Sequence, residues 1–440
     1  MAATDPCFSH ADEHLAWLQS QARLPQGFRV GSTKVSFVSA ETGKPAESTL
    51  TLISLDQPSP VSAGVFTRNA FPGAPVRIGR ERLQAPLWST IVINNKVSNV
   101  CAPEGEARSR ALCAAVARQL GVDESAVVPC STGVIGWRLP AAELINALPT
   151  AIASLQSATI LPAAQGIVTT DLYPKIRRRD FSGGGSIVGI AKGAGMIEPN
   201  LATMLVYLLT DISIPREVLR QLLQESADDS FNCISVDSDE STSDTLLALS
   251  SQRVTGVSTE TFAEALRGVC QELAEDVVRN GEGVRHVQRV RVCGAPSREL
   301  ARGVGKAVVN SPLWKTALAG NDPNVGRLVA AVGKYLGRHH PDCPVEKTRI
   351  HLGDAEIFSG GQFTLDPVTE AQLKKLLEHT ELYPAKPAAD GITFVPPLRF
   401  PSHPRVVPIT IDLGHGDAWV EVVGGDLTHE YITENADYRS

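Results

Sequence analysis

The chain has 440 residues, enough for two or three ordinary cores or one large interlocked one, and its 43% hydrophobic and 20% charged content is that of a globular protein. A formal net charge of -7 argues against nucleic acid or an anionic membrane surface as the main partner. No stretch reaches about 18 consecutive apolar residues, so no membrane span is expected. The first 26 residues lack the apolar core of a secretory signal and the Arg-rich character of a transit peptide, which points to the cytoplasm. None of the eight cysteines forms Cys-x-x-Cys and no metal-ligand spacing occurs. Free thiols, no metal and no bound cofactor are therefore expected. His10 and His14 sit at i, i+4, but without a His-Glu-x-x-His order they read as a surface helix.

In chain order, residues 50–56 alternate as a strand and 62–67 follow as the next, with a turn at Phe71-Pro-Gly73. Residues 75–78 and 89–94 read as two more strands. Residues 104–120 have helical spacing in Leu112, Val116 and Leu120, and Gly121 ends that helix. Thr132-Gly133 after Pro129-Cys-Ser is, taken alone, a turn. Residues 140–155 are helical, with a break or kink expected near Pro149. The dense basic run 175–179 reads as a solvated loop or strand end. Gly183-Gly-Gly185 lacks the Gly-Lys-Ser/Thr of a phosphate loop and reads as a hairpin tip.

The second half opens with a helix over 215–227. Residues 231–237 read as a strand, and 237–244 as its acidic turn. That turn is no calcium loop, because Thr242 stands where the loop needs Gly and no Glu closes it. Phe262, Leu266, Val269, Leu273 and Val277 form the apolar stripe of a helix over 259–279. Glu282 lies between Gly281 and Gly283, ordinarily the place of a solvated turn residue. Residues 301–309 are helical, 383–404 form a proline-rich extended loop, and 406–423 alternate as strand.

One stretch carries more than architecture. Lys192-Gly-Ala-Gly-Met-Ile-Glu-Pro-Asn-Leu-Ala-Thr203 is a polar, glycine-punctuated loop that runs into a short apolar segment over 201–209. A lone Thr at the head of a strand is a packing residue. A Lys, two Gly, Pro-Asn and Ala-Thr in this order suit an internal self-processing site. Attack of the Thr203 hydroxyl on the Ala202 carbonyl, followed by hydrolysis, would leave Thr203 as a new N-terminus. Its α-amine would titrate near ~8 or lower. It could then serve as general base beside its own hydroxyl.

This stretch resembles the ornithine acetyltransferase (ArgJ) family, whose motif reads approximately K-G-S-G-M-I-H-P-N-M-A-T-M-L. Ala194, Glu198 and Leu201 stand where that family usually has Ser, His and Met. The resemblance keeps its order from about Gly27 to Ser440. It includes Ile167-Val-Thr169-Thr170-Asp171, Asn280-Gly-Glu-Gly-Val284, Asn310-Ser-Pro-Leu313 and the C-terminal segment with Asn435. Departures are Val325 for the usual Trp, Ser440 for Thr, and the loop 94–101. That loop keeps Asn94 and Asn99, loses a glycine and gains Lys96 and Val97.

The resemblance implies an α/β fold, a layered αββα sandwich of two chains interlocked after self-cleavage between Ala202 and Thr203. Residues 1–202 would form the α chain and 203–440 the β chain, with two of each in a heterotetramer. The implied reaction moves the acetyl group of N2-acetylornithine to L-glutamate in arginine biosynthesis, through an acetyl-Thr203 intermediate. Thr132 and Gly133 would form the oxyanion hole and Glu282 would serve proton transfer. Thr169, Lys192, Thr203, Glu282, Asn435 and Ser440 would hold the substrate, with a one-residue shift from Thr169 to Thr170 left open. Acetyl-CoA stays open as a further donor. The altered loop 94–101 and Val325 motivate a rival, an amidase or acyltransferase of another pathway on the same scaffold. An unprocessed, non-catalytic binding protein is the other alternative.

Overall fold

The computed structural model describes residues 6–198, 204–384 and 396–436. The chain runs through α1 (Ala11–Gln21), β1 (Phe28–Val38), β2 (Pro45–Ser59), β3 (Ser62–Phe66), α2 (Ala74–Arg82), β4 (Trp88–Asn94) and α3 (Gly105–Leu120). It continues through β5 (Val127–Ser131), α4 (Ala141–Ala153), α5 (Leu161–Gly166), β6 (Lys175–Asp180) and β7 (Ser186–Lys192). Then come β8 (Leu205–Ile212), α6 (Arg216–Asp228), β9 (Ile234–Ser235), β10 (Thr245–Val254), α7 (Thr259–Arg279), β11 (Val287–Ala295), α8 (Arg298–Val309) and α9 (Pro312–Ala319). The rest is α10 (Val325–His339), β12 (Arg349–Leu352), β13 (Ala355–Ser359), β14 (Gln362–Phe363), α11 (Pro367–Thr380), β15 (Val407–Asp412), β16 (Ala418–Gly425) and α12 (His429–Ala436).

Two sheets face each other. One has the order β1-β2-β4-β5 and the other β3-β10-β8-β7-β6. Strand alternation assigns each side chain to a layer. In β8, Leu205, Tyr207 and Leu209 pack with Ile53, Ile91 and Val128 of the facing sheet. Val206 and Leu208 point the other way, into a core shared with Leu219 and Leu223 of α6 and Leu266 and Leu273 of α7. On the far side of the first sheet, Leu50, Leu52 and Val92 pack against Leu112 and Val116 of α3 and Leu144 and Leu148 of α4. Helices, sheet, sheet and helices therefore stack as αββα. Since β8 lies between two apolar layers, all eight of its residues are buried.

A third sheet, β14-β13-β12-β15-β11-β16-β9, packs against α8, α9, α10 and α11. The alternating segment 406–423 is two strands rather than one. Both flank β11, β15 in parallel and β16 antiparallel.

Four other expectations need correction. Residues 75–78 belong to helix α2, whose buried Pro75, Ile78, Gly79 and Arg82 follow i, i+3, i+4, i+7 spacing. Pro75 occupies the helix's first turn, where its missing N–H costs nothing. The basic run is not solvated: Lys175, Ile176, Arg177 and Arg178 of β6 are all buried. Each of the three cations has a carboxylate partner, Asp171, Asp276 and Asp180 respectively. Residues 231–237 contain a single 3-10 turn and the two-residue β9, not a full strand. Helix α4 runs through Pro149 without a break, held down by Leu144, Leu148 and Ala151. Gly183–Gly185 does turn between β6 and β7.

Candidate active site

Ala202, Thr203 and Ser440 lie outside the described residues. The remaining site residues expected from the sequence come together. Thr132, Gly133, Thr169, Lys192, Glu282 and Asn435 line one cavity of about 270 Å³. Thr170 lines it as well, so both members of the Thr pair reach the same space. Met204, bonded to Thr203, and Leu205 form another part of the wall. Val325 does not line this cavity. It is buried with Leu328 and Val332 against the third sheet.

Backbone bonding prepares one corner for an anion. The Thr132 amide donates to the Asn94 carbonyl at 3.0 Å, and the Val134 amide to the Lys96 carbonyl at 2.9 Å. Between them the Gly133 N–H and the Thr132 hydroxyl have no partner among the described residues. Gly133 has φ 126°, and a Cβ there would lie 2.2 Å from the Lys96 carbonyl carbon. Only glycine lets these two segments approach so closely. The altered loop 94–101 thus lines the pocket through Ser98 and packs the Lys96 backbone against Gly133. Its retained asparagines are structural. The Asn94 amide donates to the Val97 carbonyl at 2.8 Å, and the Asn99 amide to the Ser109 hydroxyl at 2.8 Å.

Glu282 is 7% exposed, so it is not a solvated turn residue. Its amide donates to the Ala194 carbonyl at 2.9 Å. The Asn435 Nδ2 of α12 donates to its Oε2 at 2.7 Å. A Cβ on Gly195 would lie 2.2 Å from the same oxygen, and one on Gly283 would lie 2.3 Å from the Tyr431 nitrogen. Glycines at 195 and 283 therefore let the carboxyl sit between the loop after β7 and α12.

That loop is clamped by the acidic turn. Asp237 accepts the Met196 amide at 2.6 Å and the Ile197 amide at 2.8 Å. Glu198, standing where the resembled motif has His, accepts hydrogen bonds from Ser235 and Asn310.

The sequence did not reveal two carboxyls of the site. Asp244 lies on the cavity wall beside Ser241, Thr242 and Ser243. It is 4% exposed, and its Oδ2 has no hydrogen-bond partner among the described residues. Burial raises its pKa well above the ordinary value, against the pull of Lys192, the Ser241 hydroxyl and the Met204 amide. Asp171 lies behind Thr169. Burial would raise its pKa too, but Lys175, Lys192 and the Gly193 amide overcome that and hold it at about 2. The signal for both was a carboxylate beside hydroxyl residues, Thr-Thr-Asp and Ser-Thr-Ser-Asp, which by itself also describes a polar turn. Among the described residues no cluster of three or more His, Cys, Asp or Glu could hold a metal ion, and no helix is long and apolar enough to cross a membrane.

Fold and pocket define a layered αββα protein with a ligand-sized cavity walled by residues from both halves of the chain. A profile of the ArgJ family matches residues 34–440. The arginine biosynthesis bifunctional protein ArgJ of Nitratidesulfovibrio vulgaris is 37% identical over 425 residues, which cover 94% of this chain and 99% of that protein. The ArgJ protein of Methylococcus capsulatus is 39% identical over 390 residues, 86% of this chain and 88% of that protein. Among solved structures, the ornithine acetyltransferase from Mycobacterium tuberculosis complexed with ornithine is 30% identical. The match covers 42% of this chain and 96% of that one, with a TM-score of 0.36. The chain belongs to the ArgJ family.

Proposed function

We propose that this protein moves the acetyl group of N2-acetylornithine to L-glutamate, with Thr203 as the acyl carrier. The chain is an acetyltransferase of arginine biosynthesis, as its near full-length curated relatives imply. The observation that carries the finer reading is convergence. Six residues from five separate segments line one cavity, and Met204 beside Thr203 lines it too.

The proposed chemistry is a two-step transfer. The Thr203 hydroxyl attacks the acetyl carbonyl while its α-amine takes the hydroxyl proton. The Gly133 N–H and Thr132 hydroxyl receive the oxyanion; one such donor is typically worth about 10²–10³ in rate. The carbon–nitrogen bond then breaks, and Glu282 supplies the proton that the departing α-amine of ornithine requires. The glutamate amine next attacks the acetyl ester and gives a proton to Glu282, while the Thr203 α-ammonium returns its proton to the leaving oxygen and regenerates the hydroxyl. Thr169, Lys192, Asn435 and Ser440 hold the amino acid, with Lys192 taking the α-carboxylate common to donor and acceptor.

Self-cleavage between Ala202 and Thr203 would expose the α-amine. The sheet supports a two-chain product. Strands β7 and β8 pair antiparallel from Ile187↔Thr210 to Lys192↔Leu205, so their ladder survives loss of the connection. Strand β3 is likewise paired with β10 from the second half. Residues 1–202 and 203–440 are thus the α and β chains of this reading, assembled as a cytoplasmic heterotetramer without a bound cofactor.

Mass spectrometry tests the reading. Purified protein should run as two fragments, the second starting at Thr203 and gaining one acetyl group from N2-acetylornithine that glutamate removes. The same measurement with acetyl-CoA decides whether it is a second donor. Thr203→Ala should leave one full-length, inactive chain. Full-length wild-type protein that still transfers acetyl groups would overturn the scheme.

A further inference from the structure

A fully buried charge pair ties together three loops that carry site residues. The Lys175 Nζ donates to Asp171 Oδ1 at 2.6 Å, and both side chains are 0% exposed. It also donates to Asn280 Oδ1 at 3.1 Å. Asp171 accepts the Thr169 amide at 3.1 Å and the Gly193 amide at 2.8 Å. Asn280, two residues before Glu282, accepts the Leu172 amide at 3.1 Å. The backbones that carry Thr169, Lys192 and Glu282 therefore converge on one hydrogen-bonded cluster.

The charge balance around Lys192 is unusual. Its side chain lines the cavity and makes no hydrogen bond or ion pair among the described residues. Two buried carboxyls lie within its electrostatic reach, Asp171 and Asp244. Neither neutralises it. No ion pair joins Asp244 to Lys192 and burial disfavours its charged form, while Asp171 is paired with Lys175. An isolated carboxylate behind Lys192 would attract the ammonium and compete with any incoming anion. In a buried site such competition is far stronger than in water.

We propose that Lys175 is a positioning residue whose charge sets substrate affinity: by neutralising Asp171 it leaves Lys192 free to bind the carboxylate of the substrate. This inference rests on the reading that Lys192 receives the α-carboxylate. It concerns a group outside the cavity that acts only through another residue.

The test compares Lys175→Gln, which keeps a donor toward Asp171 but removes the charge, with Asp171→Asn/Lys175→Gln, which removes both charges. The single variant should raise KM for both N2-acetylornithine and glutamate by about tenfold or more, with kcat within about threefold, the pattern of lost uniform binding. The double variant should return both KM values to within about fivefold of wild type, since no carboxylate then faces Lys192 and Asn keeps an acceptor for one of the two amides. If the cluster is merely structural, the double variant will be no better than the single one, and kcat will fall as KM rises. That result overturns the inference, as does a single variant with unchanged KM. Should Lys175→Gln fail to fold, the double variant alone decides: a KM raised tenfold without any uncompensated charge would also refute it. Wild-type protein that transfers no acetyl group at all would instead refute the functional reading, which separates the two failures.

Discussion

Two walls of the same cavity each bury an aspartate, and the acidities of the two residues are shifted in opposite directions. On one wall, Asp171 is ionised because Lys175 touches it and two amides donate to it. On the other, Asp244 has the Ser241 hydroxyl and the Met204 amide as partners, and its Oδ2 has none among the described residues. Burial acts in the same direction on both. What differs is a single contacting ammonium, and that decides whether a buried carboxyl adds charge to a site or only shape. Among the described residues, Lys192 is the cation that lines the pocket, and it lies within electrostatic reach of both acids.

The largest effect should come from breaking the charged wall. Lys175→Met leaves a buried carboxylate without its counterion, and loss of one partner of a buried pair typically costs about 3–5 kcal/mol. Asp171→Asn/Lys175→Met removes both charges and should recover most of that loss. Denaturant midpoints of wild type, single and double variants measure this directly. If the double variant were as unstable as the single one, packing rather than charge would hold this wall together.

The sequence made one of these walls legible and hid the other's workings. Helix α7 appeared in full because its apolar stripe repeats at helical spacing over five turns. The convergence on one pocket was readable because Thr132, Gly133, Thr169, Lys192, Glu282 and Asn435 lie in motifs with fixed local order. The basic run 175–179 looked solvated because nothing local shows that Asp171, Asp180 and Asp276 await its cations. Asp276 lies on α7, about 100 positions away. Alternation at 75–78 suited a strand until tertiary contacts turned Pro75, Ile78, Gly79 and Arg82 onto one helical face. The third sheet went largely unread because its central pairing joins β11 to β15 and β16, more than 100 residues later in the chain. Asp244 shows locally only Ser-Thr-Ser-Asp, which also describes a polar turn, because the rise in its pKa depends on enclosure by the pocket.

Acid and base should act oppositely on the two walls. Asp171 has its native pKa depressed from 3.8 to about 2, so its stabilisation is present above about 3.8 and is lost as pH falls toward 2. Asp244 has its native pKa raised, so its native state binds the extra proton. Its contribution is full below the unfolded value of 3.8 and disappears as pH rises through the native one. Stability of Asp244→Asn should therefore gain on wild type as pH rises from about 4 to 8, by an amount of order 1 kcal/mol or more. Asn keeps an acceptor for the Met204 amide, so the cost of the substitution near pH 4 should be within about 1 kcal/mol. Parallel stability curves for wild type and Asp244→Asn would mean that the second wall carries a charge like the first.

The smallest expected effect lies at a third carboxyl. Glu434 on α12 is half-buried near Glu282 and Glu430. Burial, with those two carboxylates, raises its pKa from 4.5 to about 7. A raised acid stabilises the fold below its unfolded pKa, and that contribution is lost as pH climbs from about 4.5 through 7. Ionisation places a second negative charge beside Glu282, on the helix that also supplies the Asn435 bond to it. Helix α12 should loosen over this range. Amide hydrogen exchange across residues 429–436, corrected for the intrinsic pH dependence, should show protection falling between pH 5 and 8 in wild type and less so in Glu434→Gln. The change should be small, because a half-exposed carboxyl is well screened by water. Equal loss of protection in both proteins would mean that Glu434 does not couple to Glu282 and that the Asn435 bond ties α12 to it.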